Sequence, residues 1–257
     1  MQCSENWVYF IFMVTALIGL FLKKRFIRWI VMLGSLAVIG FLQMGCPSPI
    51  GAVQYILLNP FNFVETLPFW IKLAIVVVPA FFLGPIFCGW VCPKGVIQEL
   101  LNRKELELKV SEKLDKWLRK IPYIILFTLI AVPLIFHKKI FTSSVSPFKI
   151  IFNLMGTPFA LGFLIVILII SLFIYRPFCK YICPIGALLN FVSRIGLFRI
   201  TPGDDCTDCG VCVRKCGMGA LTINRKGQKP ILDKSRCIAC GECRENCHAN
   251  CLNILKK

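Results

Sequence analysis

Two runs of four cysteines near the C-terminus have a spacing that holds iron–sulfur clusters. Each run has the pattern C-x2-C-x2-C-x3-C, one over residues 206–216 and the other over 237–247. In this pattern a tight loop presents three thiolates to three irons of one cubane, and the fourth cysteine reaches the other cluster. The sequence therefore predicts two [4Fe–4S] clusters. Cluster I would take Cys206, Cys209, Cys212 and Cys247, and cluster II would take Cys237, Cys240, Cys243 and Cys216.

Several details of these runs bear on the prediction. Bacterial ferredoxins place a proline after the fourth cysteine, whereas this chain has Gly217 and His248 there. The main alternative is a pair of zinc sites, which need only four ligands and favour paired CxxC knuckles. Gly210 and Gly241 suit a close approach of the backbone to the inorganic sulfides. Cys251 belongs to neither run and is interpreted as an inert thiol.

A second pair of cysteine motifs lies upstream. Residues 87–95 and 178–186 both have the pattern FCxxxCPxG, and each opens an apolar run, which indicates an internal repeat. Proline suits the first position of a helix, so the cysteine before it is a predicted N-cap, where a thiolate is favoured. The four thiols are predicted to meet and hold a further iron–sulfur cluster; the alternative is buried thiols beside a helix cap. The four thiols belong to Cys88, Cys92, Cys179 and Cys183.

The elements that position these cysteines are strongly apolar. Hydrophobic residues make up 57% of the 257 residues, and the mean hydropathy is +0.73. Both values are too high for a soluble domain, so the sequence predicts a membrane α-helical protein with about four to five spans. The first and fourth segments are short for a full crossing and would be tilted, extended or re-entrant. The predicted spans are Trp7–Leu22, Phe26–Gly45, Phe69–Phe87, Ile121–Phe136 and Pro158–Tyr175.

The distribution of charge predicts the orientation in the membrane. The chain has a net charge of +17, and 26 of its 30 Lys and Arg lie in residues 23–28, 88–120 and 176–257. By the positive-inside rule these segments are cytoplasmic, so the ferredoxin domain faces the cytoplasm at the inner membrane. Residues 104–120 are interpreted as a solvated amphipathic segment; the alternative is a surface for an acidic partner or anionic lipid. No nucleic-acid motif accompanies the charge.

The sequence divides into three parts. Residues 1–68 form a transmembrane hairpin with an outer re-entrant segment, and residues 69–200 form the repeated transmembrane core. Residues 201–257 form a small α+β domain of the bacterial two-cluster ferredoxin type, with short strands at 220–224 and 230–233.

Residues 45–51 resemble half of the CxxxCP motif, with Cys46 alone. This segment is interpreted as a helix-breaking turn, or else as a re-entrant helix that lines a cofactor or quinone pocket. Polar side chains near the membrane faces are Gln54, Gln98, Glu99 and His137, but no quinone site is named from them.

Apolar spans, paired CxxxCP motifs and a C-terminal two-cluster domain resemble NapH and the membrane core of NosR. These are polyferredoxin subunits of quinol-linked electron-transfer systems, and the resemblance is clearest from Phe69 onward. It implies that the CxxxCP cysteines are the family's membrane motif, and that electrons pass between the quinone pool and partner redox subunits. NosR-type proteins also carry a flavin domain, which has no counterpart in these residues, so the resemblance implies a flavin- or haem-bearing partner.

The predicted function is that of a membrane-bound electron-transfer subunit of a larger oxidoreductase. It would relay electrons between its cytoplasmic-side clusters and a membrane cofactor, a quinone or a partner subunit through the CxxxCP site. The alternative is an iron–sulfur redox sensor or maturation factor for a membrane reductase, although no output module is recognisable. A thiol–disulfide exchanger is disfavoured because the pairs face the reducing side.

Overall fold

The computed structural model describes residues 6–22, 24–43, 49–59, 61–108, 110–136, 147–153, 157–197, 200–203, 205–223 and 228–254. Cys46 and His137 lie outside these ranges. The part upstream of residue 200 is helical, and short strands occur downstream of it. The α-helices described upstream of residue 200 are α1 (Asn6–Leu22), α2 (Arg25–Ser35), α3 (Pro49–Leu58), α4 (Phe63–Leu83), α5 (Pro93–Leu101), α6 (Glu112–Leu118), α7 (Ile121–Phe136), α8 (Lys149–Asn153), α9 (Pro158–Phe173), α10 (Pro177–Tyr181) and α11 (Pro184–Ile195). Wider π-helical turns occur at Leu36–Leu42 and Phe87–Val91, and a 3-10 turn at Lys104–Leu106.

Two helical stretches within the described ranges are long and apolar enough to cross a membrane. One is α4, Phe63–Leu83, and the other is the continuous stretch Glu112–Ile135 formed by α6 and α7. The remaining apolar helices, including α1, Phe26–Leu42 and α9, are shorter. Thus two of the five predicted spans reach the required length. The helix predicted to run from Phe69 to Phe87 instead ends at Leu83, because Gly84 adopts a φ of 86°.

The helices upstream of residue 200 pack against one another and form a bundle. Helix α4 packs against α1, α3 and α11, while α7 packs against α3 and α11 and α5 packs against α2 and α9. Large apolar side chains remain exposed on the outer faces of this bundle, for example Ile18 on α1, Val78 on α4, Phe127 on α7 and Ile165 on α9.

The ferredoxin-type domain contains two small antiparallel sheets. Strand β1 (Ile200–Pro202) pairs with β4 (Leu252–Ile254), and β2 (Leu221–Thr222) pairs with β3 (Ile231–Leu232). The inner strands β2 and β3 lie within the two predicted strand segments, whereas β1 and β4 were not predicted. Their pairing places Pro202 opposite Leu252, which joins the two ends of the domain. Two short helices, α12 (Val211–Lys215) and α13 (Glu242–Glu245), complete the domain.

The ferredoxin-type domain packs directly on the helical bundle. Leu20 of α1, Trp90 and Leu189 of α11 belong to one continuous buried cluster with Met218 and Ile238 of the domain. Arg244 in α13 also donates a hydrogen bond to the carbonyl of Leu20 over 3.0 Å. The domain is therefore held against one end of the bundle.

Candidate iron–sulfur centres

The four cysteines assigned to cluster II surround one cavity in the ferredoxin-type domain. Cys216 follows α12, and the other three lie in the loop before α13 and at its first turn. Burial raises the pKa of the Cys240 thiol to about 11, partly offset by the positive charge of Arg28. Buried thiols ionise only when positive charge lies beside them. The irons of a cluster would supply that charge at the centre of this group. The cavity is lined by Cys216, Cys237, Cys240 and Cys243.

The cysteines assigned to cluster I form a second group in the domain. Cys206 and Cys209 follow β1, and Cys212 lies in α12. Burial raises the pKa of Cys212, and the neighbouring thiols Cys206 and Cys209 raise it further. The sulfur of Cys247 lies 3.5 Å from that of Cys251, which also has the Cys206 thiol as a neighbour, so Cys247 belongs to this group. Cys209 is exposed to solvent, so cluster I would lie nearer the surface than cluster II.

The two cysteine runs share an unusual backbone geometry. The residue before the second cysteine has a φ of 51° both at Asp208 and at Ala239. The glycine after that cysteine also has a positive φ, 68° at Gly210 and 84° at Gly241. Left-handed residues turn backbone N–H groups toward one side of a loop, where they can face an anion. The N–H of Ala239, for example, lies 3.3 Å from the sulfur of Cys237.

The two CxxxCP segments also fold alike. The N–H of Cys92 donates to the carbonyl of Phe87 over 2.8 Å, and that of Cys183 donates to Phe178 over 2.9 Å. The φ and ψ angles are −69° and 112° at Cys92 and −72° and 111° at Cys183. Each of these cysteines is the N-cap of a helix whose first residue is the following proline, as the sequence predicts.

The four CxxxCP thiols are close neighbours in the structure. Burial raises the pKa of Cys88 well above its ordinary value, and the neighbouring thiols Cys92, Cys183 and Cys179 raise it further. Four adjacent thiols in an apolar site suit a cationic cluster. Within the described ranges, no three His, Cys, Asp or Glu side chains lie close enough to hold a single metal ion. A cubane differs in placing each thiolate on a separate iron.

Gln98 connects the two CxxxCP segments. This fully buried side chain on α5 accepts a hydrogen bond from the N–H of Phe178 over 2.9 Å. Its amide nitrogen donates to the carbonyl of Lys94 and lies 3.5 Å from the sulfur of Cys179. Gln98 therefore orients one thiol of the second segment from a helix of the first.

A buried charge network lies beside these thiols. Glu99 accepts hydrogen bonds from Arg28 over 2.7 Å, from Arg176 over 3.0 Å and from the hydroxyl of Tyr175 over 2.9 Å. Arg28 is 0% exposed and also pairs with Glu242 of the ferredoxin-type domain over 2.8 Å. The guanidinium groups of Arg176 and Arg28 outweigh the burial of Glu99 and lower the pKa of its carboxyl group. Two arginines and two carboxylates thus link the helical core to the domain.

Close contacts hold the loop of cluster II against the first CxxxCP segment. The indole N–H of Trp90 donates to the carbonyl of Ala239 over 3.1 Å. A Cβ atom at Gly89 would lie 2.3 Å from the carbonyl oxygen of Ile238. Only glycine permits this approach, which places the segment between Cys88 and Cys92 directly on the cluster II loop.

Comparison with known proteins places the chain in a family. A family model described as a 4Fe-4S binding domain matches residues 66–124 and 157–202, which include all four CxxxCP cysteines. The uncharacterized protein MJ0750 of Methanocaldococcus jannaschii is 33% identical over 71% of this chain and 77% of its own length. The ferredoxin-type protein NapH of Escherichia coli K12 is 28% identical over 66% of this chain and 61% of its own length. The regulatory protein NosR of Pseudomonas aeruginosa is 30% identical over 63% of this chain and 24% of its own length.

The chain belongs to the NapH/NosR-type polyferredoxins. No solved structure matches this polyferredoxin. The family match lies on the CxxxCP segments and does not extend over the eight C-terminal cysteines.

One departure of this polyferredoxin from the ferredoxin pattern has a structural reason. Gly217 stands where bacterial ferredoxins have proline, and a Cβ atom there would lie 2.7 Å from the ring of Tyr175. The missing proline therefore reflects contact with the helical core. His248, at the corresponding position of the second run, is exposed, and nothing in the structure explains its identity.

Part of the basic segment of this polyferredoxin is packed rather than solvated. Asp115 in α6 accepts hydrogen bonds from Arg119 and from Tyr181, each over 2.7 Å. Arg119 also donates to the carbonyl of Met218 in the ferredoxin-type domain over 2.8 Å. Most of the described residues in 104–120 are exposed, as expected for a solvated amphipathic segment, whereas this turn of α6 contacts both the second CxxxCP segment and the domain.

We expect Gly89→Ala to destabilise the contact between the domain and the core. The added methyl group would collide with backbone, which cannot move without shifting the cluster II loop, so the cost should be about 1–3 kcal/mol, typical of overpacking. Thermal unfolding followed by cluster absorbance would measure this loss. Gly162→Ala is the control because no atom lies within 4 Å of its Cβ position in α9. An equal melting temperature for Gly89→Ala and Gly162→Ala would contradict the tight contact.

Proposed function

We propose that this polyferredoxin is a membrane-bound electron-transfer subunit with three iron–sulfur clusters in series. Electrons would pass between cluster I, cluster II and a third cluster held by the four CxxxCP thiols, and from there to a quinone or a partner redox subunit. The observation that carries the proposal is the direct contact of Gly89 and Trp90 with the cluster II loop at Ile238 and Ala239. This contact brings two candidate cluster sites side by side.

The exposure of the thiols gives the series an order. Cys209 of cluster I is exposed, whereas Cys237 and Cys243 of cluster II are buried. Cluster II would lie between the surface of the domain and the CxxxCP thiols, since the loop at Ile238 and Ala239 contacts Gly89 and Trp90. A soluble redox partner would therefore exchange electrons at cluster I, and a membrane-side partner would exchange them at the CxxxCP site.

The helical bundle supports a membrane location. Two described helices are long and apolar enough to span a bilayer, and the outer faces of several helices expose large apolar side chains such as Phe127 and Ile165. Such faces are stable when lipid covers them. Further spans, with the ferredoxin-type domain on the cytoplasmic side of the inner membrane, belong to the proposal. The positive-inside distribution of Lys and Arg supports that orientation.

The side chains around the CxxxCP thiols suit a cluster that gains and loses one electron. The cluster supplies the one-electron chemistry, and its potential depends on hydrogen bonds and charges near the sulfurs. Gln98 lies within hydrogen-bonding distance of the sulfur of Cys179. The buried guanidinium of Arg176, 1% exposed, donates to the carbonyl of Cys88. Both groups stabilise added negative charge and thus favour the reduced state.

Gln98→Leu is expected to make the third cluster harder to reduce. Loss of a hydrogen bond to a charged sulfur should lower the equilibrium constant for reduction about tenfold, or ~59 mV for one electron. A redox titration monitored by electron paramagnetic resonance would measure the shift. Asn102→Leu is the matched control, since its amide donates to the carbonyl of Ser171 at the C-cap of α5, whereas Cys92 is the N-cap of that helix. Equal potentials in both variants would contradict the assigned contact.

The function is tested by mixing anaerobically purified, oxidised protein with duroquinol, a soluble quinol. We expect the absorbance of the clusters to bleach as electrons enter at the core and reach clusters I and II. Dithionite, which reduces clusters without a quinol site, defines full reduction. Reduction by dithionite but not by duroquinol would contradict quinol-linked transfer. Gln98 and Glu99 already have partners within the chain, so no quinone contact is assigned to them.

A further inference from the structure

A fifth thiol lies at the site of cluster I. Cys251, which belongs to neither cysteine run, is only 7% exposed. Its sulfur is 3.5 Å from the sulfur of Cys247, and the thiol of Cys206 is also a neighbour. Both neighbours are assigned as ligands of cluster I. The buried thiol of Cys251 therefore points into a site that already has four ligands.

The sheet fixes Cys251 in this place. The residue immediately precedes β4, whose Leu252 is paired with Pro202 of β1. The N–H of Gly203 donates to the carbonyl of Cys251 over 2.7 Å. Because β1 leads directly into the loop of Cys206, the sheet holds the fifth thiol beside the first ligand. Its position follows from regular backbone pairing rather than from a loose chain end.

Among the residues that the structure describes, cluster II has no such thiol. Four residues after Cys216, the position that corresponds to Cys251 is occupied by Ala220. Ala220 is buried, and its N–H lies 3.3 Å from the sulfur of Cys216. In each half of the domain, the residue four positions after the fourth cysteine of the run lies against the sulfur of that cysteine. That residue is Cys251 beside Cys247 and Ala220 beside Cys216, so a sulfur is present only beside Cys247.

We propose that Cys251 is a reserve ligand of cluster I that can replace Cys247 on its iron. In the exchange, Cys251 would give its proton to the thiolate of Cys247 and would take the place of that thiolate as the ligand; in Cys247→Ala, the proton of Cys251 would pass to solvent instead. Proton and charge balance within the pair, and no iron changes its oxidation state. The proposal rests on the assignment of cluster I in the proposed function. It adds that the more exposed cluster keeps four thiolate ligands when Cys247 is lost.

Alanine variants of the full chain test this ligand exchange. Cys247→Ala is expected to keep the wild-type iron content, and the double variant Cys247→Ala/Cys251→Ala is expected to lose about one to four irons per chain, from one cubane. Cys216→Ala and Cys209→Ala should each lose iron to the same extent, since Ala220 stands at the position beside Cys216 and the neighbours of Cys251 are Cys247 and Cys206 rather than Cys209. Iron analysis and the [3Fe–4S] signal in electron paramagnetic resonance would measure these outcomes. Cys251→Ala alone should match the wild type.

An iron loss in Cys247→Ala equal to that in Cys216→Ala would overturn the proposal. Loss of cluster I in Cys251→Ala alone would also overturn it, because Cys251 would then be a resident ligand. These measurements do not depend on quinol. A wild-type protein that duroquinol cannot reduce, but whose alanine series behaves as expected, would refute the proposed function and leave the reserve ligand in place.

Discussion

Replacing both Cys92 and Cys183 with serine is expected to remove about four of about twelve irons per chain, by the count of one cubane in three. The two residues are the N-cap thiols of α5 and α11, one from each CxxxCP segment. The eight predicted ligands of the ferredoxin-type domain lie downstream of residue 205 and should keep their clusters. Iron and sulfide analysis of anaerobic protein would measure the loss, and duroquinol should no longer reduce the remaining clusters.

The control for this double variant is a cysteine that is a predicted ligand neither in the ferredoxin-type domain nor in the CxxxCP segments. Cys46→Ser should leave the iron content and the reduction by duroquinol unchanged. If iron content and spectra were also unchanged in Cys92→Ser/Cys183→Ser, the CxxxCP thiols would hold no cluster. Intact iron with lost reduction by duroquinol would indicate that these cysteines act only through the folding of the helix caps.

Arg28→Gln is expected to destabilise the protein by about 3–5 kcal/mol, the usual cost of leaving a buried ion partner without its charge. Arg28 pairs with both Glu99 of the core and Glu242 of the domain, and glutamine would leave two buried carboxylates with one remaining arginine. The domain should then separate more readily from the core. Thermal unfolding would measure the stability, and magnetic coupling between the reduced clusters would report their separation.

Two further variants separate the role of Arg28 from a general effect of charge. Lys24→Gln removes a positive charge at the start of the same helix, where the residue is exposed, and should change stability little. Arg28→Lys keeps the charge but cannot bridge two carboxylates in the same way, so its stability should fall between the wild type and Arg28→Gln. Equal melting temperatures for Lys24→Gln and Arg28→Gln would refute the proposed link.

Local features of the site could be predicted from the sequence because the chain itself produces them. The cysteine spacing is short, and the loop geometry around Gly210 and Gly241 follows from a few consecutive residues. Likewise, proline after cysteine sets the helix caps at Cys92 and Cys183. No contact with a distant part of the chain is needed for these features.

The contacts between the domain and the core could not be predicted in this way. Gly89 and Gly217 are needed because of residues far away in the sequence, Ile238 and Tyr175. Arg28 gave one overlooked signal, since a charged residue inside a predicted span is often functional. The charge distribution predicts only a positive charge of the inner loop at this position, whereas Arg28 is the centre of the link to the domain.

The central claim, a third cluster between the two CxxxCP segments, is tested most directly by iron anomalous scattering from crystals of the anaerobic full chain. The account predicts three iron peaks: two in the ferredoxin-type domain, and a third surrounded by Cys88, Cys92, Cys179 and Cys183. Two peaks in the domain and none between the CxxxCP thiols would contradict it.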